Sequence, residues 1–288
     1  MKHKISIIGG DLRMVKLAKN LAKDEHIVYV YGMEKSHELE ENNIEIVETL
    51  DQALEKGEYI IGPLPFSGNG VSINAPFSNK EIKIEELKKM QKDKIFIAGV
   101  IKEEIKEMLE NYYKEVIDVM QREDFVVLNA LATAEGTIQV AMENTEDTIH
   151  GSNILVLGFG RVAKMVAYKF LSLGAEVTCA ARKAEDFAWI EAYGYKAIDI
   201  NNMHEKLEDF DIIVNTVPVQ ILNKKELEFI RKDTLIIDLA SNPGGVDRDE
   251  VKIQNLKFVW ALALPGKVAP NTSAKFIKNT IYNVINEY

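Results

Sequence analysis

The chain has 288 residues, 47% hydrophobic and 28% charged, which suggests two globular domains and excludes a disordered or fibrous protein. Its 45 acids outnumber 35 lysines and arginines, and the net charge of −10 argues against general binding to nucleic acid or a membrane surface. A single cysteine excludes an internal disulfide and points to a reducing, cytoplasmic compartment; no apolar stretch is read as reaching the ~18 residues of a membrane span.

In chain order, short apolar runs alternate with helical patterns, the sequence form of βαβ units. The first series opens with the strand Lys4-Ile5-Ser6-Ile7-Ile8, the turn Gly9-Gly10-Asp11 and a helix to about Lys23. Strands are expected near Ile27–Tyr31, Ile44–Val47, Tyr59–Gly62, Ile95–Ala98 and Val116–Val119, with helical pieces including Lys83–Lys92 and Lys102–Asn111. From Arg122 to Glu143 the spacing of Val126, Val127, Ala130, Leu131, Ala134, Ile138 and Met142 predicts one long helix able to link two domains.

A second series begins at Asn153. Strands are expected at Ile154–Leu157, Glu176–Ala180, Lys196–Ile198, Ile212–Asn215, Leu235–Leu239 and Phe258–Ala261, and helices at Val162–Leu173, Ala184–Ala192, Met203–Leu207 and Lys225–Ile230. The last stretch, from Thr272 to Glu287, is helical and is expected to return to the first domain. The fold class is therefore α/β, two doubly wound Rossmann-like domains with parallel sheets. The expected boundaries are 1–130 plus 271–288 for the first domain, 121–144 for the linking helix and 145–270 for the second domain.

Residues 154–163 carry the strongest motif, Ile-Leu-Val-Leu-Gly-Phe-Gly-Arg-Val-Ala, a strand running through a glycine turn into a helix. Gly158 permits the tight turn, Gly160 lets backbone approach a pyrophosphate, and Ala163 allows close helix–strand packing. Gly160, Arg161 and Val162 then open a helix whose N-terminal amides suit phosphate. Heading a six-strand series, this turn reads as a dinucleotide site rather than a structural bend.

After the second strand of that series, where NAD-binding folds place a carboxylate, the chain has Ala181-Arg182-Lys183. Arg182 and Lys183 suit a 2′-phosphate and favour NADP; an arginine stacked on adenine would leave NAD acceptable. Asn215, Thr216 and Pro218 end the fourth strand where the nicotinamide ribose is expected, although an ordinary strand-ending turn reads the same way. Cys179, within an apolar run, reads as a buried structural thiol.

Several segments together resemble the A-subunit family of dipicolinate synthases. They are Gly9-Gly10-Asp11-Leu12-Arg13, Thr133-Ala134-Glu135-Gly136-Thr137, Thr148-Ile149-His150-Gly151-Ser152, Asp238-Leu239-Ala240-Ser241 with Pro243-Gly244-Gly245, and Leu264-Pro265-Gly266 through Pro270. The resemblance covers essentially the whole chain. It implies NAD(P)-dependent oxidation of hydroxylated tetrahydrodipicolinate, with loss of water, to dipicolinate in the mother cell of a sporulating bacterium. It also implies a small dicarboxylate substrate and work beside the B subunit of dipicolinate synthase; self-association into a homo-oligomer is a further expectation.

A dicarboxylate needs donors. Arg13, Ser67 in the loop Pro65–Gly70, Asn242, Gly244 and Gly245 are the candidate substrate contacts, with substrate expected to bridge both domains. Arg13 reads equally as a solvated first-turn residue, and the loop as plain surface. Glu135 is the candidate buried base and His150 the candidate acid–base histidine, against the alternatives of a helix-turn cap and a hydrogen-bonded structural histidine. D-2-hydroxyacid dehydrogenases of this architecture carry a histidine after the late strands, where this chain has Trp260-Ala261-Leu262-Ala263-Leu264. No metal-ligand spacing appears. The alternatives are an alanine-dehydrogenase-like or hydroxyacid oxidoreductase and a non-catalytic partner protein that senses nucleotide.

Overall fold

The computed structural model describes residues 2–39 and 41–288. The chain forms two compact units, Met1–Leu128 with Ala269–Tyr288, and Asn129–Val268. In the first, β1 (Lys4–Ile8), α1 (Leu12–Lys23), β2 (Ile27–Tyr31), β3 (Ile44–Ile46), α2 (Leu50–Lys56), β4 (Tyr59–Ile61), β5 (Gln91–Ala98), α3 (Glu103–Glu110) and β6 (Tyr113–Asp118) follow one another. Helix α4 (Glu123–Asn144) leads into the second unit. There β7 (Asn153–Leu157), α5 (Arg161–Ser172), β8 (Glu176–Ala181), α6 (Ala184–Ala192), β9 (Lys196–Asp199), β10 (Ile212–Asn215), α7 (Lys224–Leu227), β11 (Leu235–Asp238), α8 (Arg248–Ile253), β12 (Lys257–Trp260) and α9 (Leu264–Val268) follow. Helix α10 (Pro270–Glu287) belongs to the first unit.

Among the described residues, each unit carries one six-stranded sheet with every strand pair parallel, in the orders β3-β2-β1-β4-β5-β6 and β9-β8-β7-β10-β11-β12. Both are the 3-2-1-4-5-6 arrangement of a doubly wound fold, whose direction of winding reverses between the first and fourth strands. The central strands are buried on both faces, as parallel strands covered by helices must be: in β7, Ile154, Leu155, Val156 and Leu157 are fully buried. Helix α10 returns to the first unit, where Ala274, Ile277, Ile281 and Val284 enter one core with Leu17 and Leu21 of α1.

Three expectations need correction. Residues 83–92 do not form a helix: Ile84–Leu87 is a single 3-10 turn and β5 begins at Gln91. The polar start of β5 mimics a helix face, but Lys94 folds inward and donates to the carbonyls of Leu54 and Glu55 at the end of α2. Residues 203–207 likewise lie in 3-10 turns, with His204–Asp209 as the longer one. Finally, α4 is long and apolar enough, by length and composition, to cross a membrane. Its small residues are packed inside protein: Ala134, Thr137 and Ala141 are fully buried, and a Cβ on Gly136 would lie 2.9 Å from Leu264 Cβ.

Candidate functional site

The carboxyl edge of the second sheet is built around the turn from β7 into α5. Gly158 holds φ at +94°, a conformation side chains rarely adopt, and a Cβ there would lie 2.8 Å from Thr216 Oγ1 and 3.0 Å from Val217 Cγ2. Thr216, at the end of β10, turns its hydroxyl to donate to Leu157 O at 2.8 Å, so the two strands flanking the winding reversal are joined at this edge. Gly160 caps α5, and around its position a Cβ would find nothing within 4 Å. The first backbone bond within α5 runs from Lys164 N–H to Gly160 O at 2.9 Å, so the amides before it point past the helix end. An open glycine ahead of such amides is the cradle a pyrophosphate needs.

A crevice of about 360 Å3 opens beside this turn. Its floor is Gly158, Phe159, Ala180 and Ala181; its rim carries Arg182, Lys183, Asp186 and Asn201; Val217, Val219, Ile221 and Glu226 close the far wall. Arg182 is exposed and has no side-chain partner among the described residues, whereas Lys183 pairs with Glu185 at 3.2 Å. Arg161 and Val162 occupy the first turn of α5. Phe159, Asp186, Asn201, Val219 and Glu226 are absent from the sequence-derived site. Of these Phe159 had a local signal in its place inside the glycine motif and Val219 in its place after Pro218; Asp186, Asn201 and Glu226 reach the crevice through the folding of α6, the β9 turn and α7.

Other predicted residues do not meet here. The Asn215 side chain is fully buried and donates to Asp238 Oδ1 (2.8 Å) and Val217 O (3.0 Å), so it braces the edge and cannot contact a ribose. Pro218 is exposed and its neighbours Val217 and Val219 form the crevice wall instead. Gly244 and Gly245 are buried, and their amides donate to Ser241 O and Asp238 Oδ2. A side chain on Gly245 would collide with Asn215, so these glycines serve packing and have no amide left for a substrate. Asn242 is exposed at the tip of the same loop.

Glu135 is not a buried base: it is exposed and pairs with Lys169 of α5 at 2.8 Å. His150 is exposed and precedes β7, at the amino edge of the sheet, and its ring fills the space over Gly174. The five residues of β7, at about 3.3 Å each, separate it from the glycine turn. Cys179 is buried in β8, and burial pushes its thiol up to about 12, which rules out a thiolate nucleophile. Among the described residues no cluster of His, Cys, Asp or Glu could hold a metal ion.

In the first unit the equivalent turn is occupied by the chain itself. A Cβ on Gly9 would lie 3.0 Å from Ala75 Cβ and 3.2 Å from Asn74 O, and Gly10 N–H donates to Asn74 O at 2.8 Å. Asp11 caps α1 through Arg13 N–H at 3.0 Å, placing negative charge where phosphate would need a donor. Arg13 is buried; its Nε and Nη2 donate to the Asp11 carboxylate and Nη2 also to Leu64 O, so it is no solvated surface residue. Ser67 donates to Ser72 O (2.6 Å) and accepts from Gly70 N–H (2.8 Å), organising its own loop.

Fold and site together define an NAD(P)-dependent oxidoreductase with one dinucleotide-binding Rossmann unit. The NAD-binding domain of D-isomer specific 2-hydroxyacid dehydrogenases matches residues 132–251, and the N-terminal domain of the dipicolinate synthase A subunit matches residues 4–120. The A subunit of dipicolinate synthase from Bacillus subtilis (strain 168) is 32% identical over 289 residues, covering 99% of this chain and 96% of that protein. The crystal structure of the dipicolinate synthase A chain from Bacillus subtilis superposes with a TM-score of 0.89 at 30% identity, covering 100% of this chain and 97% of that one. A shikimate dehydrogenase (NADP(+)) of Methanococcoides burtonii is 32% identical over 104 residues, 33% of this chain and 38% of that protein. The chain belongs to the A-subunit family of dipicolinate synthases.

Proposed function

We propose that the chain oxidises 4-hydroxy-tetrahydrodipicolinate to dipicolinate with NADP+, during sporulation and beside a B-type partner protein. The observation that carries the oxidoreductase reading is the open Gly160 cradle at the winding reversal, continuous with a crevice of about 360 Å3. The substrate follows from the dipicolinate synthase relative, which spans both units of this chain. The balance is loss of one water from the ring, then loss of a hydride and a proton to leave the aromatic pyridine. The bound nicotinamide supplies the hydride acceptor.

The chain's own residues bind and orient. Gly158 and Gly160, with the amides of Arg161 and Val162, receive the pyrophosphate, and Thr216 closes the neighbouring edge. Unpaired Arg182, with Lys183 beside it, favours a 2′-phosphate and hence NADP, in line with the cofactor in the shikimate dehydrogenase's name. Asp186 and Glu226 line the same crevice and oppose an added phosphate, so the preference rests on Arg182 reaching it first. For the dicarboxylate, Asn242 stays exposed on the loop after β11 and is the donor proposed on the second unit, whereas Arg13 of the first unit is committed to Asp11 and Leu64 O. The test is NADPH formation at 340 nm from substrate generated in situ, with and without the B-type partner. Growth of absorbance that requires this chain supports the reading; cofactor binding without turnover under either condition favours a nucleotide-sensing role.

A further inference from the structure

Asp238, the last residue of β11, is 1% exposed and has no direct access to a ligand. Its carboxylate is nonetheless the point at which the two segments leaving β10 and β11 meet. Oδ1 accepts from Ala240 N–H at 3.0 Å and from Asn215 Nδ2 at 2.8 Å, and Oδ2 accepts from Gly245 N–H at 2.9 Å. Asn215 in turn accepts from Val217 N–H at 3.0 Å and donates to Val217 O at 3.0 Å. One buried carboxylate therefore sets the backbone path of residues 215–217 and both ends of the 240–245 loop. Trp260 adds an outer brace, its Nε1 donating to Ala240 O at 2.9 Å, with the Arg248 guanidinium stacked over its ring at 4.1 Å.

A doubly wound sheet takes one nucleotide half on each side of its winding reversal. The crevice with Arg182 is floored by the ends of β7 and β8 and walled by the segment that leaves β10 through Val217, so the nicotinamide half falls on the other side of that wall, toward β11 and β12 and against the 240–245 loop. We infer that Asp238 is a positioning residue: it holds the 215–217 turn and the 240–245 loop in the shape that receives the nicotinamide half, while touching neither cofactor nor substrate. The inference rests on the dinucleotide reading of this edge.

Asp238→Asn tests it, because the change conserves shape and removes only acceptor capacity. Each carboxylate oxygen receives a backbone N–H, so whichever way the amide is turned, its NH2 faces a donor and one loop bond is lost. NAD+ and ADP-ribose, which differ only by the nicotinamide, are titrated into wild type and variant by calorimetry. The affinity for NAD+ is expected to fall about tenfold or more and that for ADP-ribose to change less than about twofold; kcat for NAD(P)H formation falls about tenfold or more. In a Trp189→Phe background, emission from Trp260 shifts as its brace to Ala240 loosens. Trp260→Phe keeps Asp238 and deletes only the outer brace, so it gives a smaller loss in the same direction, about threefold, even if Asp238→Asn folds poorly. Unchanged NAD+ affinity and turnover in both variants, or equal loss for NAD+ and ADP-ribose, overturns the positioning role. Failure of wild type to bind either ligand overturns the dinucleotide reading itself, and the positioning role with it.

Discussion

Gly158 and Gly160 lie two residues apart in one turn, yet the structure gives them separable jobs. At Gly158, φ is +94° and an added Cβ meets Thr216 Oγ1 at 2.8 Å and Val217 Cγ2 at 3.0 Å. Gly158→Ala therefore meets both an unfavourable backbone conformation and a crowded contact, and costs about 1–3 kcal/mol. For a unit of this size that lowers the unfolding midpoint by roughly 3–8 °C. At Gly160 the backbone is ordinary extended chain, with φ −79°, and a Cβ meets nothing within 4 Å. Gly160→Val should fold with its midpoint within about 3 °C of wild type, since exchanging an N-cap glycine for a side chain without a capping oxygen costs at most about 1 kcal/mol. Its branched carbons stand where pyrophosphate must approach, displacing one or two charge-assisted amide bonds of about 1.5–3 kcal/mol each, so affinity for NAD+ and NADP+ falls about a hundredfold. Differential scanning calorimetry reads the first quantity and isothermal titration the second. A well-folded Gly160→Val that binds dinucleotide within about twofold of wild type refutes the placement of the pyrophosphate over this turn.

Arg182→Ala should weaken NADP+ by about tenfold or more and leave NAD+ within about twofold, measured by calorimetric titration; equal effects on both would remove Arg182 as the phosphate reader. Because residues 73–75 fill the glycine turn of the first unit, saturation is expected at one dinucleotide per chain, and a second site of comparable affinity would contradict that packing. The last prediction concerns pH. Burial, with His3 stacked at 5.5 Å, holds His26 below its usual 6.5, and its geometry demands a neutral ring: Nδ1 accepts from His3 N–H at 3.1 Å. Between the folded value and 6.5 the unfolded chain binds the extra proton, so stability is complete above 6.5 and declines as pH falls through and below that value. An NMR titration of the His26 ring with a midpoint at or above 6.5 would refute the assignment.

The parallel strands were legible because they are buried on both faces and read as continuous apolar runs, as in Ile154–Leu157 and Ile212–Val214. The glycine turn was legible because strand, glycines and helix are adjacent in sequence. What failed depended on distant neighbours. Residues 83–92 read as a helix because nothing local shows that β5 begins at Gln91, where the end of α2 offers Lys94 two carbonyls from far back in the sequence. Gly244 and Gly245 look like a loop kept bare for a ligand, but the space beside Gly245 is taken by Asn215 and Val217 O. His150 stood near the expected cleft only in sequence; the direction of β7 carries it to the opposite edge. Arg13 reads as a substrate donor or a surface residue; its Asp11 partner is two residues away, but Leu64 O, which buries it, is a tertiary partner that no local pattern announces.

The shared core of α1 and α10 has a consequence for synthesis. Leu17 and Leu21 are made before the second unit, whereas Ala274, Ile277, Ile281 and Val284, which complete their packing, are made after it. Residues 129–268, compact in themselves, are translated between the two. The inserted unit can therefore finish folding while the nascent chain's earlier portion still exposes the apolar face of α1 and waits for its closing helix. During that interval the exposed face is open to chaperones and to self-association, because domains that appear whole fold as units while a split one must hold its first half in suspense.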